Sequence, residues 1–420
     1  MVSTFHGLEL GRRGLTAGQA SIATTGHNIA NANTKGYSRQ QVNNVTAQPL
    51  DTWTTGNVNP GQLGSGVSVE SITRVRDHFL DRQYRDQSGT LGQWQAKQAT
   101  FDQLETVINE PSDTGLNAAM DRLQGAWQDL ANDPASPSAQ AVVKERGQAF
   151  LEVAESMDVS MGAVLSDIER QTNAAVSDAT EYLKQIDALN QSIKRTGTQA
   201  NDLLDQRDAA VEQLSKLATI SVIEDKGMYT ISLNGTAVVK GTAGEETATT
   251  AEPDVAALLR SSTGGKLKGL ADSKILAENQ RTAVANIVSD FASANGIKEE
   301  DGSKGNLFIQ NEDGSLEVNR SGDRLTVPEN LETDLEPIKK SYQALVSELG
   351  AKSQSATSSI ANYEATLQAT DNRRQSVTGV SLDEEMANLI KFQHAYSAAA
   401  RLVSTTDQML DTIINRMAAR

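Results

Sequence analysis

The sequence predicts a mainly α protein with an inserted α+β module. Its terminal helices pair as an antiparallel coiled coil, a long helical bundle forms a rod, and a small β-rich outer domain interrupts that rod. Three observations carry this. Apolar residues recur every seven positions at both ends of the 420-residue chain. A helical spacing of apolar residues continues across residues 138–196, and the apolar period changes from 3.6 to 2 near Thr219.

At the N-terminal end, Leu8, Leu15, Ile22 and Ile29 form one row, with Gly11, Gly14, Ala17 and Gly18 between them. Each internal Gly costs a helix about 1 kcal/mol relative to Ala, so this segment is a poor helix alone. The same small residues admit a partner backbone closely. The stretch Asn28-Ile29-Ala30-Asn31-Ala32-Asn33-Thr34-Lys35-Gly36-Tyr37-Ser38-Arg39-Gln40 then favours a helix stop and turns, because Asn bonds its own backbone and Gly accepts positive φ. Gln41–Ala47 and Gly66–Ile72 read as extended, with Gly- and Pro-rich turns between.

A helical tract follows from Asp77 to Ala218, broken at Pro111-Ser112 and between Asn132 and Pro137. Within it, Val142, Phe150, Val153, Met157, Val164, Ile168, Ala175, Tyr182, Ile186, Leu189 and Ile193 keep helical spacing over a rod-like length. From Thr219 the pattern alternates at Ile220, Val222, Tyr229, Ile231 and Leu233. Asn234-Gly235 before Ala237-Val238-Val239 signals a hairpin. Gly241–Thr250 reads as a loop, Ser273–Asn295 as a helix, and Asn306–Val318 as a second hairpin turning at Asp313-Gly314. Helix returns near Glu336 with Tyr342, Leu345, Leu349, Ala356, Ile360, Tyr363 and Leu367 on one stripe, and Ser376–Val380 ends it. The expected division is residues 1–36 with 381–420 as the terminal unit, 37–218 with 335–380 as the rod, and 219–334 as the outer module.

The last helix starts at Ser381-Leu382-Asp383-Glu384, an S-x-x-E capping box. Asp383, Glu384 and Glu385 set negative charge at the positive end of its dipole. One row runs Leu389, Tyr396, Val403, Leu410 and Met417. A second, mixed row runs Met386, Gln393, Ala400, Asp407 and Ile414, and Phe392, Ala399 and Ile413 widen the stripe. So narrow a seam suits pairing with another helix. Matching Leu8, Leu15, Ile22 and Ile29 to Leu410, Val403, Tyr396 and Leu389 gives one constant antiparallel register. It sets Asp407 opposite Gly11 and near Arg12. The alternative is two unrelated surface helices of a globular domain.

Composition narrows the function. Aromatic residues are 4% and net charge is -16, with no basic run, which argues against a nucleic-acid or anionic-membrane surface. Residues 1–36 carry +2 and residues 381–420 carry -1, so the interior holds -17. Cysteine is absent, which removes disulfides, thiolate nucleophiles and thiolate metal sites. No stretch is apolar for long enough to span a membrane. His6, Glu9, Arg12 and Arg13 interrupt any leader-like pattern at the start.

Chemistry is hard to find. His6, His27, His78 and His394 are dispersed, with no metal-ligand spacing. Ser261–Leu267 has a glycine pair and Lys266 but lacks the spacing and the Ser/Thr of a phosphate loop. Asn311–Ser315 lacks the remaining acids of a calcium loop, and Gly61–Gly66 lacks a strand-then-helix context. No catalytic constellation, cofactor site or metal site is expected, and the chain reads as a non-enzyme. A secreted enzyme on a helical stalk would need a site in residues 219–334, and an unrelated coiled-coil scaffold would keep helical ends when free.

The segment from Asn31 to Gln40, and within it Asn31, Asn33, Thr34, Gly36, Tyr37, Arg39 and Gln40, resembles the N-terminal signature of flagellar rod, hook and hook-associated proteins. Val380–Leu389 continuing through Phe392–Ala398, Asn201–Asp208, and Gly64–Val67 through Arg74–Leu80 are similar to the hook-associated protein 1 family. The resemblance implies a structural protein at the junction between hook and filament of a bacterial flagellum, or else another axial protein of hook or distal rod. It implies export through the flagellar type III channel without a cleaved signal peptide, and ends that order when subunits stack. The implied partners are further copies in a ring layer, the hook protein, a second junction protein (hook-associated protein 3) and an export chaperone on the C-terminal segment. Nucleic-acid binding and membrane insertion are not expected. The ends would line the inner tube, the rod would surround them and residues 219–334 would face outward.

Overall fold

A computed structural model of the chain describes residues 5–51, 62–197, 199–241, 254–298, 306–311, 315–320, 324–328 and 331–417. Helix α1 (His6–Asn31) leads into four short strands: β1 (Gln40–Thr46), β2 (Leu50–Asp51), β3 (Gln62–Leu63) and β4 (Val67–Arg74). β1 pairs antiparallel with β4, from Gln40 against Arg74 to Thr46 against Val67, and β2 pairs with β3. The Asp77 carboxylate accepts from the Phe79 and Leu80 N–H groups and so caps α2 (His78–Ile108). Left-handed Asn109 ends that helix, and α3 (Leu116–Asn132) follows. Ser136 then caps α4 (Pro137–Thr196), with proline at the position where its missing N–H costs nothing. At 60 residues, α4 spans about 90 Å. It is followed by α5 (Asn201–Leu217).

The inserted segment opens with an antiparallel sheet of β5 (Ser221–Asp225), β6 (Met228–Leu233) and β7 (Thr236–Val239), in that order. Asn234 and Gly235 join β6 to β7 at φ 48° and 81°, the turn whose twist matches flanking strands. Next come α6 (Val255–Arg260) and α7 (Gly265–Ala294), then β8 (Ile297–Lys298), which runs parallel to β9 (Phe308–Gln310). β10 (Leu316–Val318) pairs antiparallel with β9. The expected turn at Asp313-Gly314 and residues 242–250 of the expected loop lie outside the described residues. The chain closes with α8 (Leu331–Thr378), α9 (Leu382–Asp411) and a π-helical turn, Thr412–Met417.

Three boundaries differ from those the sequence predicts, the first being the start of α8 at Leu331 and not near Glu336. α7 begins at Gly265, not at Ser273. Gly265 sits at φ 78°, where an added Cβ would come within 2.6 Å of the Leu217 carbonyl. The chain squeezes past the end of α5 there and buries Leu267 and Leu270 immediately. α8 runs to Thr378, so the break before α9 is only Gly379 to Ser381.

One continuous hydrophobic cluster runs from Ala96 on α2 to Ala356 on α8. Trp127, Phe150, Phe291 and Phe308 are fully buried in it. The Phe150 ring lies 4.6 Å from that of Phe291 and 6.3 Å from that of Phe308. Trp127 donates through its indole N–H to Asn295 Oδ1 at 2.7 Å, so the one polar atom of that side chain is satisfied on burial. Tyr229, Ile231, Leu233 and Val239 of the inserted sheet, and Leu267 to Phe291 of α7, belong to this same cluster.

Candidate assembly surface

The terminal helices α1 and α9 pack antiparallel, with glycines of α1 at the contact. A Cβ added at Gly11 would sit 2.6 Å from Val403 Cγ2. At Gly14 it would sit 3.1 Å from Ala399 Cβ, at Gly18 3.3 Å from Tyr396 Cβ, and at Gly7 3.0 Å from Thr406 Oγ1. α1 therefore supplies hollows and α9 supplies the side chains that fill them. Continuing the same spacing, Ser21 and Thr25 fall on the contact row of α1, and both are buried.

This corrects the expected register. Val403 faces Gly11 where Leu15 was expected, and Tyr396 faces Gly18 where Ile22 was expected, a displacement of one helical turn. Leu8, Leu15, Ile22 and Ile29 lie half-buried beside the seam. On α9, Leu410 is buried, Leu389 and Val403 are half-buried and Tyr396 is 39% exposed. Met386 and Ile414 are exposed on the flank, each at 57%, and the side chain of Met417 lies outside the described residues. The expected approach of Asp407 to Arg12 does not occur. Arg12 instead binds Glu9 one turn away at 2.7 Å, and hydrogen bonds from Arg12 and Arg13 hold the Glu9 carboxyl down at about 2.

The motif after α1 forms a joint between the terminal pair and the body. Its centre is Asn28, which lies just outside the family motif and reads in the sequence only as a turn-former. Asn28 Oδ1 accepts from the Tyr37 hydroxyl at 2.7 Å and from the Gln40 N–H at 2.9 Å. Its amide donates to the Gln40 carbonyl at 2.9 Å and to Glu385 Oε2 at 3.1 Å. Glu385 is 2% exposed, and Arg39 reaches its other oxygen at 2.8 Å and Glu384 at 3.1 Å. Ser381 Oγ accepts from the Glu384 N–H at 3.5 Å, while the Glu384 carboxylate faces Arg39.

The remaining motif residues shape the turn. Thr34 donates to Asn31 Oδ1, and the Asn31 amide donates to the His27 carbonyl. Gly36 takes φ 81° against Ala209, and Asn33 is exposed. Gln40 binds Asp202 and Asn201. Burial, then the nearby Asp202, Asp205 and Glu385 charges, push the Tyr37 hydroxyl well above its ordinary value.

Beneath the joint, α5 presents a row of buried charges. Asp205 accepts from the Ser38 N–H and hydroxyl and from Arg74. Asp208 binds Arg74 and Arg76, both at 2.7 Å, and accepts from Tyr229 at 2.6 Å. Burial alone would push Asp208 up, but Arg76 and Arg74 outweigh it and hold the carboxyl below its ordinary range. For Glu212 the balance reverses: burial outweighs Arg374 and Arg76 and raises it. Arg207 is fully buried, donates to Asn190 and to the Gly227 carbonyl, and lies 3.5 Å over the Tyr229 ring. These contacts bolt α5 to the β1–β4 pair, to α4 and α8 and to the inserted sheet, a structural use of charge.

Elsewhere a groove of about 930 Å³ lies between α4, α7 and the β9–β10 hairpin, crossed by the Asp158–Arg281 pair at 2.7 Å. Among the described residues, no three His, Cys, Asp or Glu side chains come together as for a metal ion, and no helix is long and apolar enough to cross a membrane.

Comparison with known proteins falls on the same elements. Residues 101–295 match the model of the flagellar hook-associated protein FlgK helical domain. Residues 373–417 match the flagellar basal body rod FlgEFG protein C-terminal model, and residues 8–37 match that of the flagella basal body rod protein. Flagellar hook-associated protein 1 of Bacillus subtilis (strain 168) is 32% identical over 99% of this chain and 99% of its own length. The proteins of that name from Salmonella typhimurium and Escherichia coli K12 are 29% identical over 56% of this chain. That match spans only 42% and 43% of their lengths. The solved flagellar hook junction protein FlgK from Burkholderia pseudomallei is 22% identical, covers 55% of this chain and 46% of its own, and superposes with a TM-score of 0.46.

Proposed function

This chain belongs to the flagellar hook-associated protein 1 family, and from that premise we propose that it is a structural subunit of the layer joining hook to filament in a bacterial flagellum. One observation supports the reading above the others. The two matches to axial rod proteins, residues 8–37 and 373–417, fall on α1 and α9, which form one physical unit although they stand at opposite ends of the sequence. That unit turns Leu382, Ile390, Met409 and Ile413 outward, each about half exposed or more. Apolar faces of this kind are covered by association.

In this reading the terminal unit, residues 1–36 with 381–420, lines the inner tube by packing against further copies. Residues 37–218 with 335–380 form the surrounding rod, and residues 219–334 face outward. Leu8, Leu15, Ile22 and Ile29 with Met386, Leu389, Tyr396, Val403, Leu410, Ile414 and Met417 serve assembly. The neighbours along the axis are the hook protein on one side and hook-associated protein 3 on the other. Before assembly an export chaperone covers the C-terminal segment, and the chain leaves through the flagellar type III channel without a cleaved signal. Ordering the ends costs about 1–2 kcal/mol per residue of backbone, which stacking offsets.

Immunogold labelling of purified flagella tests the placement: label at a single point between hook and filament supports it, and label along either one refutes it. Deleting residues 381–420 separates the roles. A soluble, folded body that no longer enters flagella is expected, and an insoluble body would sink the division.

A further inference from the structure

We propose that the buried Asn28–Arg39–Glu385 cluster sets the register of the α1–α9 pair, selecting the glycine-lined seam over a leucine-on-leucine alternative one turn away. α1 carries two adjacent stripes, the small one spaced by alternating four and three residues and the apolar one by seven. One is small (Gly7, Gly11, Gly14, Gly18, with Ser21 and Thr25), and the other is apolar (Leu8, Leu15, Ile22, Ile29). The knobs of α9 repeat with the same period: Val403 and Tyr396 fall on Gly11 and Gly18, and the same step sets Leu389 at Thr25, whereas one turn away Leu410, Val403, Tyr396 and Leu389 would fall on Leu8, Leu15, Ile22 and Ile29.

Apolar burial alone favours the leucine row, because it removes more hydrocarbon from water. Yet the structure places Val403 on Gly11 and Tyr396 on Gly18. Such hollows do not discriminate one turn from another. What discriminates is the layer at the foot of the pair. Only the observed register brings the Asn28 amide to 3.1 Å from Glu385, whose second oxygen takes Arg39 at 2.8 Å. A shift of one turn parts Asn28 from Glu385 and leaves a carboxylate that is 2% exposed without that donor. Losing one partner of a buried charge is strongly unfavourable. A single polar layer that fixes the alignment of an otherwise permissive coiled coil is a known device of such seams. Here it also keeps the leucine row on the flank.

The chain has no cysteine, so installed pairs report without background. Gly14→Cys with Ala399→Cys reports the glycine register. Leu15→Cys with Val403→Cys reports the leucine register. Intramolecular crosslinking of the full chain, in solution and in purified flagella of the source bacterium, is read as the ratio of the two yields. With the cluster intact, the first pair dominates. In the Asn28→Leu, Glu385→Leu background the ratio falls by about tenfold or more, the change expected when a hydrogen bond to a charged group is lost. Should that double variant fail to order its ends, Glu385→Gln decides: a reduced ratio supports the proposal and an unchanged one overturns it. A double variant that still crosslinks only the first pair overturns it, as does an intact cluster that crosslinks both pairs equally in both settings. The readout lies within one chain, so its failure is distinct from a failure of the junction reading.

Discussion

Helices α4 and α9 are both long and amphipathic, yet they meet opposite fates. α4 buries Val143, Phe150, Met157, Met161, Ile168, Leu183, Ile186 and Ile193 against its own chain. α9 buries only Glu385 and Leu410 and leaves Met386, Ile390 and Met409 outward. Amphipathic periodicity thus states that a face will be covered but not by what. In the body the cover is complete within the chain, whereas at the ends α1 covers one side of α9 and leaves Met386, Ile390 and Met409 outward. Glycines permit close approach in both regions: in α1 they seat the side chains of α9, and in the body Gly92 of α2 and Gly269 of α7 would each set an added Cβ within 2.7 Å of a neighbouring backbone carbonyl.

The contrast can be broken by substitutions on each side. The largest effect is expected at Phe150→Ala, which empties a fully buried site between Phe291 and Phe308 and costs about 3–5 kcal/mol; thermal unfolding of the isolated chain measures it, and a loss under about 1 kcal/mol would contradict a single shared core. Asp208→Asn strips Arg74 and Arg76 of a buried partner and is expected to cost about 3 kcal/mol near neutral pH. Because the folded Asp208 carboxyl is held below its ordinary value, its contribution is fully present above that value and is lost as pH falls through the lowered one. Stability titrated into acid should therefore drop more steeply in the native chain than in the Asn variant.

Smaller effects fall on the terminal pair. Gly11→Ala gains about 1 kcal/mol of helix preference but drives a methyl into Val403, at a cost of about 1–3 kcal/mol. Amide exchange in α1 and α9 should rise while the body's melting point stays put; coupled loss of the body would show that the two regions are one cooperative unit. Met386→Ala and Ile390→Ala should change stability by less than about 0.5 kcal/mol yet reduce incorporation into flagella. Full incorporation would show that this face is not a contact.

Much of this division is legible in the order of the residues. Asn234-Gly235 makes the turn its chemistry demands, Ser381 caps α9, and the spacing of Phe150, Met157, Ile168 and Ile186 announces α4. The seam is another matter. α1 carries a small row and an apolar row side by side, and hydrophobicity points to the wrong one, since a hollow leaves no apolar signal. Asn28 looks like one more turn-former, and Glu385 like a dipole charge. They stand 357 positions apart. The ties from Arg74 to Asp205 and Asp208 cross 131 and 134 positions. Local pattern cannot report partners so distant.

The hollowed face of α1 has a geometric consequence. Helix axes ordinarily stand about 8–10 Å apart, and side chains seated directly on glycine draw them to the near end of that range or inside it. If such pairs line the proposed inner tube, its wall is thinner than one built from helices at the ordinary spacing. For a given outer diameter, the radius given up by the lining passes to the bore.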